Sequence, residues 1–357
     1  MRLLVYPVTF LTRFCGVGTV AAMYRRTLLW WVLVGALWLA LPNRCPAPLV
    51  YRPGEGWTYE PVEGGASWKR ARASDQLEVA RAAYDLQDYA LALKAARYVV
   101  RTWPFSDYAP AAQYLVGRSY EVRKKDQKAF KEYGKLLRNY PNTTNVNDVL
   151  ERQYEISGRF LAGQWFKLWG VIPFFPSMEK TAGLYQEIVN FGPYSPVGPD
   201  AQMNIGAARE KQKDWEAAAR AYEIAIYRYL DRPKIAADAF YKSGRAWAKQ
   251  ALEAEYDQSA AGKAITSFKD FEDLFPGDPR IKETSEAIGV MKAEQARGNF
   301  EIARYYEKLK KRQAALIYYS EVSRLQPDSK LADQARQRLE VLKQELGIAT
   351  PPAAAPK

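Results

Sequence analysis

Histidine is absent from the 357-residue chain. Histidine is the commonest general acid or base near neutral pH and a frequent zinc ligand. Its absence therefore removes the usual catalytic dyads and triads and most zinc sites. Cysteine is almost as scarce, because Cys15 and Cys45 are the only two and both lie near the N-terminus. Disulfides, iron–sulfur clusters and thiolate zinc sites are therefore not expected in the rest of the chain.

The sequence also lacks a glycine-rich phosphate-binding loop and a dinucleotide-binding fingerprint. Carboxylate-only catalysis is compatible with the composition, but no acidic pair stands apart from the charged faces of the predicted helices. We therefore predict a protein with no catalytic residues, no metal and no cofactor. Hydrophobic residues make up 48% of the chain and charged residues 26%, which is typical of a folded soluble protein.

Residues 1–45 are predicted to form a signal or anchor segment rather than part of the fold. Arg25 and Arg26 precede an apolar run from Leu28 to Leu41, which is the order found in a secretory signal. This run is shorter than the roughly 20 residues that a membrane-spanning helix needs. Met23 directly precedes the pattern and is a candidate for the true start of translation.

Cys45 stands where a bacterial lipoprotein signal places its lipidated cysteine. Such signals have a small residue directly before the cysteine, and Arg44 departs from that rule. Two interpretations stay open: lipidation of Cys45, or a peptide anchor or ordinary cleavage near Ala47. The net charge of +12 favours acidic partners or an anionic membrane surface. We expect no nucleic-acid partner for an exported protein.

Internal repetition is the strongest pattern in the chain. A small residue is followed after twelve positions by alanine and after twelve more by proline, as in Gly117, Ala129 and Pro141. We interpret each copy as two antiparallel helices whose axes approach where the small residue of the first meets the alanine of the second. Six copies occur once insertions are allowed in the third and fifth. Their small residues are Ala80, Gly117, Gly158, Gly206, Gly244 and Ala303, and their alanines are Ala92, Ala129, Ala182, Ala218, Ala264 and Ala315.

This pattern resembles the tetratricopeptide repeat. The resemblance predicts an all-α fold of about six helix pairs in a right-handed superhelix, followed by a C-terminal capping helix. The fourth copy departs from the pattern, because Leu230 replaces the proline that ends the second helix. The predicted domain boundaries are a tether over 46–73, repeats over 74–346 with insertions at 163–180 and 250–260, and a disordered tail over 347–357.

Several local strings resemble the BamD-like outer-membrane lipoproteins of the β-barrel assembly machinery. Trp103-Pro104-Phe105-Ser106-Asp107-Tyr108 is similar to the Tyr-Pro-Phe-x-x-Tyr junction of that family. The segment from Tyr140-Pro141 to Asn147-Asp148-Val149 and the string Ala303-Arg304-Tyr305-Tyr306-Glu307 are similar as well. The family usually has five repeats, whereas this chain has six, and the surplus lies around residues 200–275.

The resemblance implies a scaffold on the periplasmic face of the outer membrane, held there by a lipid or peptide anchor. It also implies as partners a barrel-forming insertase, other assembly subunits and the C-terminal segments of unfolded outer-membrane proteins. The alternative is another periplasmic repeat scaffold that serves an envelope or cell-wall complex. The sequence alone does not name the partner.

Arginine recurs directly after the small residue in five of the six repeats, and Ala207 is the exception. The tetratricopeptide resemblance places this position in a binding groove, where forked guanidinium donors suit the carboxylate of a C-terminal or acidic peptide. Alternatively, the arginines pair within their own helices, as Arg118 with Glu121 and Arg304 with Glu307. The predicted groove residues are Arg81, Arg118, Arg159, Arg245 and Arg304, with the rings of Tyr114, Tyr241 and Phe300 four residues earlier.

The insertion in the third repeat contains the most apolar stretch outside the N-terminal segment. An aromatic loop of this kind is expected to be buried somewhere. One interpretation is docking on a partner or on the membrane surface, and the other is packing within the repeat domain itself. The candidate docking residues are Trp165, Phe166, Trp169, Phe174 and Phe175.

Overall fold

A computed structural model describes residues 49–52, 56–59, 68–70, 72–168, 172–253 and 258–348. The chain divides into two units, Met1–Ser67 and Trp68–Lys357. In the first unit, strands β1 (Leu49–Arg52) and β2 (Gly56–Tyr59) form an antiparallel two-stranded sheet. The predicted signal segment, with Met23 and Cys45, lies outside the described residues.

The second unit is built from consecutive helix pairs, which confirms the predicted all-α tetratricopeptide-repeat solenoid. Each pair is one repeat, and the final helix packs on the last pair as the predicted cap. The described pairs are α1 (Ala73–Asp85) with α2 (Tyr89–Thr102), α3 (Ala109–Val122) with α4 (Asp126–Asn139), α5 (Val146–Leu161) with α6 (Met178–Phe191), α7 (Gly198–Lys211) with α8 (Trp215–Tyr229), α9 (Pro233–Glu253) with α10 (Gln258–Leu274), and α11 (Ile281–Lys308) with α12 (Arg312–Leu325). The cap is α13 (Lys330–Glu345).

The core follows the stacking of the repeats. Its buried side chains form three clusters, which span residues 77–221, 203–291 and 296–342. Each repeat therefore packs chiefly against its neighbours, as expected for a solenoid. Within the described part of the chain, no helix combines the length and the apolar character needed to cross a membrane.

In four of the repeats, the turn between the two helices contains a residue with left-handed backbone conformation shortly before the second helix begins. Gln87, Lys124, Lys213 and Lys310 have φ angles of 63°, 55°, 61° and 58°. Asp88 and Asp214, which follow two of them, cap α2 and α8 by accepting the amide protons of Leu91 and Ala217 at 3.0 and 3.2 Å. These caps satisfy donors that the first helical turn leaves unbonded.

An aromatic ring of the second helix packs directly against the glycine of the first helix in repeats two, four and five. A Cβ atom added at Gly117 would overlap the ring of Tyr133, and one added at Gly206 would overlap the ring of Tyr222. A Cβ atom at Gly244 would lie 2.6 Å from Cδ1 of Phe268. Glycine is therefore needed at these positions to admit the ring.

The third repeat requires a correction to the predicted register. Helix α6 begins after the cap Ser177, and the fully buried residue four positions later is Thr181, whose hydroxyl donates to the Ser177 carbonyl at 2.8 Å. Ala92 and Ala218 lie four positions after the caps Asp88 and Asp214 in the same way. Thr181 therefore occupies the alanine position that the sequence pattern assigned to Ala182.

A tyrosine at the ring position of the second helix also forms a hydrogen bond between the two helices. In three repeats the hydroxyl donates to a glutamate at the end of the first helix, always twelve residues earlier. The bonds are Tyr133 to Glu121 at 2.6 Å, Tyr222 to Glu210 at 3.1 Å and Tyr319 to Glu307 at 2.9 Å. Burial raises the pKa of Tyr133 and Tyr222, and the neighbouring glutamates raise it further, so both hydroxyls stay protonated donors.

The packing predicts opposite effects for two glycine-to-alanine substitutions. Gly117→Ala forces the Tyr133 ring to move and should lower the free energy of unfolding by about 1–3 kcal/mol. Gly183→Ala, at an exposed position of α6 with no atom near the added Cβ, should raise it by about 0.5–1 kcal/mol. Urea denaturation of the full chain followed by circular dichroism measures both. Equal midpoints for the two variants would contradict the ring-over-glycine packing.

The left-handed turns predict a second pair of opposite effects. Lys213→Gly should stabilise the chain by about 0.5–1 kcal/mol, because glycine adopts positive φ without the Cβ clash that lysine suffers. Lys131→Gly, at an exposed interior position of α4, should destabilise it by about the same amount. Thermal melts of both variants beside the parent test this. A lower melting temperature for Lys213→Gly would show that the turn geometry is wrong.

Candidate peptide-binding surface

The five arginines of the predicted groove have different surroundings. All lie on the first helices of their repeats: Arg81 on α1, Arg118 on α3, Arg159 on α5, Arg245 on α9 and Arg304 on α11. Some are held by carboxylates of the chain, and others keep free donors. The repeat position alone therefore does not decide whether an arginine is available to a ligand.

Arg159 is a structural residue. Its Nε and Nη2 atoms donate to the two carboxylate oxygens of Asp126 at 3.2 and 3.0 Å. Asp126 begins α4 and is only 5% exposed, and Gln164 also donates to it at 2.8 Å. A carboxylate this buried needs a close cation to offset its lost hydration. Arg159 therefore joins α5 to α4, and it does not offer its fork to a groove as the sequence pattern predicted.

Arg304 and Arg245 are exposed but interact with their own helices. Arg304 donates to Glu301 at 3.1 Å, three residues earlier, rather than to the predicted Glu307. The Arg245 guanidinium lies 5.6 Å from the centre of the Tyr241 ring. Arg304 thus forms a surface ion pair with Glu301, three residues earlier. Arg245 has no carboxylate partner among the described residues.

Two of the three predicted groove rings are largely occupied by the chain itself. Tyr241 is buried, and its hydroxyl donates to Glu283 at 2.6 Å. Phe300 packs edge-to-face on Tyr319 with ring centres 5.4 Å apart. These rings contribute more to the cores of repeats five and six than to an open surface.

The first three repeats bring several cations and carboxylates together across α3 and α5. Arg152 on α5 donates through Nε to the Tyr114 hydroxyl at 2.9 Å and to Asp148 at 3.2 Å. Its Nη1 atom also lies 3.8 Å from Glu121 on α3. Burial disfavours the charged form of Arg152, but these acceptors outweigh it and raise the pKa. We call Tyr114, Arg118, Glu121, Asp148 and Arg152 the N-terminal polar cluster.

Arg118 shares the Glu121 carboxylate with Arg152. Its Nη1 atom lies 3.4 Å from Glu121, which is a long contact for a charged hydrogen bond. Arg81, on the neighbouring first helix α1, is exposed and has no ion pair within the described chain. Arg81, Arg118 and Arg152 thus outnumber the two carboxylates of the N-terminal polar cluster, Glu121 and Asp148, so we treat this surface as the candidate site for an anion.

Arg152 was not predicted from the sequence. It lies six residues before Gly158 and therefore outside the repeating arginine position. Its i,i+4 spacing from Asp148 was visible, but its bond to Tyr114, 38 residues away, depends on how α5 packs beside α3. Only the tertiary structure reveals that it completes the cluster.

The insertion of the third repeat packs partly within its own repeat. Strands β3 (Phe166–Leu168) and β4 (Ile172–Phe175) form an antiparallel hairpin, which the sequence did not predict. Phe166 is 6% exposed and stacks on Phe160 with ring centres 4.2 Å apart, so it is not available for docking. Trp165 is 53% exposed. Trp169 and the side chains of Phe174 and Phe175 lie outside the described part of the chain.

No group of three or more acidic or cysteine side chains that could hold a metal occurs among the described residues.

Solved tetratricopeptide-repeat proteins are similar to parts of the chain. The C-terminal part of a repeat protein from Cytophaga hutchinsonii is 16% identical with a TM-score of 0.33, covering 76% of this chain and 90% of that one. YrrB, described as having an unusual peptide-binding site, is 15% identical with a TM-score of 0.32, covering 60% and 92%. No curated protein sequence matches the chain.

Two family profiles match the sequence. A tetratricopeptide-repeat profile matches residues 111–143, which span α3 and α4. The profile of the YfiO family, described as outer membrane lipoprotein, matches residues 177–355, which is half of the chain. This match confirms the predicted resemblance to the BamD-like proteins. The chain therefore belongs to the YfiO family of outer membrane lipoproteins.

Proposed function

We propose that this protein is a non-catalytic scaffold that supports the folding and insertion of β-barrel proteins at the outer membrane. Family membership and the helical repeats support a protein-binding role in the envelope. The observation that carries the finer proposal is the excess of guanidinium groups at the first two repeats. Arg81 has no carboxylate partner within the described chain, and Arg118 shares Glu121 with Arg152.

The proposed ligand is the C-terminal segment of an unfolded barrel protein. Its terminal carboxylate offers two oxygens to the Arg81 and Arg118 guanidinium groups, which can donate in parallel. The hydroxyl of Tyr114 and the ring faces nearby supply contacts for an adjacent aromatic or apolar side chain. In this proposal the barrel-forming insertase and the other assembly subunits bind elsewhere on the repeats.

The proposed location is the periplasmic face of the outer membrane, with the N-terminal segment as the anchor. The family description supports a lipid, and Cys45 is the residue that would carry it. Arg44 keeps the peptide-anchor alternative open, because it occupies the place of the usual small residue.

Substitution of Arg81 and Arg118 tests carboxylate binding. Arg81→Ala combined with Arg118→Ala should weaken binding of a barrel-protein C-terminal peptide by about 1.5–3 kcal/mol per charge-assisted hydrogen bond removed. The difference from the parent should shrink as salt is added. Isothermal titration calorimetry with the free-acid and the amidated peptide measures the effect, because only the free acid carries the terminal charge.

Arg304→Ala is the matched control, since Arg304 occupies the same repeat position but already pairs with Glu301. It should leave the affinity unchanged. Equal affinity of the double variant and the parent at low salt would refute the carboxylate site. Affinity purification from envelope membranes distinguishes the two proposed roles of the protein. Co-isolation of a barrel insertase supports the assembly role, and its absence favours a role in another envelope complex.

The anchor makes a separate prediction. If Cys45 is lipidated, Cys45→Ala should move the protein from the membrane fraction to the soluble periplasmic fraction, while Cys15→Ala should not. Fractionation with mass spectrometry of the N-terminal peptide measures both. Membrane association of Cys45→Ala, with no lipid adduct on the parent, would establish the peptide anchor instead.

A further inference from the structure

A wide groove lies between the second helices of repeats four and five. Helices α8 and α10 form its walls and α9 forms its floor, and its volume is about 850 Å³. The walls include Ile226 and Tyr227 from α8, Leu230 directly after α8, and Leu274 from α10. Tyr227 is 88% exposed and Leu230 is 56% exposed. A cluster of large apolar side chains left in water marks a surface that another molecule can cover.

The groove exists because repeats four and five depart from the pattern of the others. The position of Tyr227 holds a charged arginine in repeats one, two and six, and the position of Leu230 holds proline in the other five repeats. At the floor, Ser243 occupies a position filled by larger aliphatic side chains in four other repeats. The corresponding residues are Arg101, Arg138 and Arg324 for Tyr227, and Val79, Val116, Ile205 and Ile302 for Ser243.

The charges around the groove leave one carboxylate without compensation. Glu223 accepts the indole proton of Trp247 at 2.6 Å. The ammonium group of Lys263 lies 4.1 Å from the centre of the same indole ring. Asp270 is exposed on the α10 wall, and no cation in the described part of the chain pairs with it. An occupant with one basic group would therefore complement the groove.

The secondary structure of the groove limits the form of its occupant. Walls and floor are helices, whose backbone groups are already bonded within each helix. An extended segment would find no strand edge with which to pair, and its amide groups would lose water in an apolar groove without replacement. A helical occupant satisfies its own backbone. It also matches the wall of α8, where Ile226, Tyr227 and Leu230 repeat with the i, i+1, i+4 spacing of one helical face.

We propose that this groove binds an amphipathic α-helix of a partner protein, with aliphatic side chains against Tyr227 and Leu230 and a lysine or arginine beside Asp270. The α10 wall supports this geometry, because Gly262, Thr266, Asp270 and Leu274 follow one another at four-residue intervals along it. These intervals extend over about 18 Å of helix, enough for roughly three turns of an occupant. This surface is separate from the carboxylate site proposed for the first repeats.

A synthetic helix tests the proposal directly. The probe is a stapled, fluorescein-labelled peptide with leucines at i, i+4 and i+7 and one lysine a turn later. Its affinity for the full-length protein is measured by fluorescence anisotropy. Tyr227→Arg, which introduces the residue of repeats one, two and six, should weaken binding at least about tenfold.

A charge exchange tests the placement of Asp270. Asp270→Lys should weaken binding of the lysine peptide and restore binding of the same peptide with glutamate in place of lysine. Tyr305→Arg is the matched control, because Tyr305 is 60% exposed on α11, away from the groove, and it should leave both affinities unchanged.

Several results would overturn the proposal. They are failure of the probe to bind the parent at about 1 mM, equal loss in the Tyr305 control, or equal binding of a proline-containing, non-helical version of the peptide. Sedimentation velocity tests whether a second copy of this chain occupies the groove instead. A dimer of the parent that Tyr227→Arg dissociates would assign the groove to that second copy. The groove variants should bind the free-acid peptide of the carboxylate site like the parent, so failure of one proposal leaves the other standing.

Discussion

The packing of an aromatic ring of the second helix over a glycine of the first helix sets the distance between the two helices in repeats two, four and five. Where Gly117, Gly206 and Gly244 admit the rings of Tyr133, Tyr222 and Phe268, the helix axes can approach closely. The tyrosines add a hydrogen bond to a glutamate at the end of the first helix. In these three repeats the contact restricts the rotation of the first helix and thereby the direction of the residue after the glycine.

That residue is arginine in most repeats, but its chemistry depends on the neighbouring carboxylates. Arg159 neutralises the buried Asp126, and Arg304 pairs with the exposed Glu301. Beside Arg118 the ratio of donors to carboxylates is higher. The Glu121 carboxylate alone interacts with Arg118, Arg152 and the Tyr133 hydroxyl. One repeated position therefore supplies a structural ion pair, a surface pair and a candidate ligand site, according to its carboxylate neighbours.

The sequence predicted the helix pairs because small residues, alanines and prolines recur at fixed spacing. It misassigned Ala182 because the pattern tolerates a shift of one residue, whereas the cap Ser177 fixes Thr181 at the buried position. The α8–α10 groove and Arg152 were missed because both depend on side chains brought together by packing. The family resemblance was drawn from the first two junctions and the last repeat. The family match covers residues 177–355, which include that last repeat and the supposed surplus repeat but not the first two junctions.

We propose that Arg81 and Arg118 of the first two repeats can bind a carboxylate, whereas Arg159 of the third repeat is held by the buried Asp126. Nuclear magnetic resonance of the arginine Nε–H groups reports on each guanidinium separately. On addition of a barrel-protein C-terminal peptide, the Arg81 and Arg118 signals should shift, and the Arg159 signal, held by Asp126, should stay in place. Unchanged Arg81 and Arg118 signals at saturating peptide, or a shift of Arg159 equal to theirs, would contradict the account.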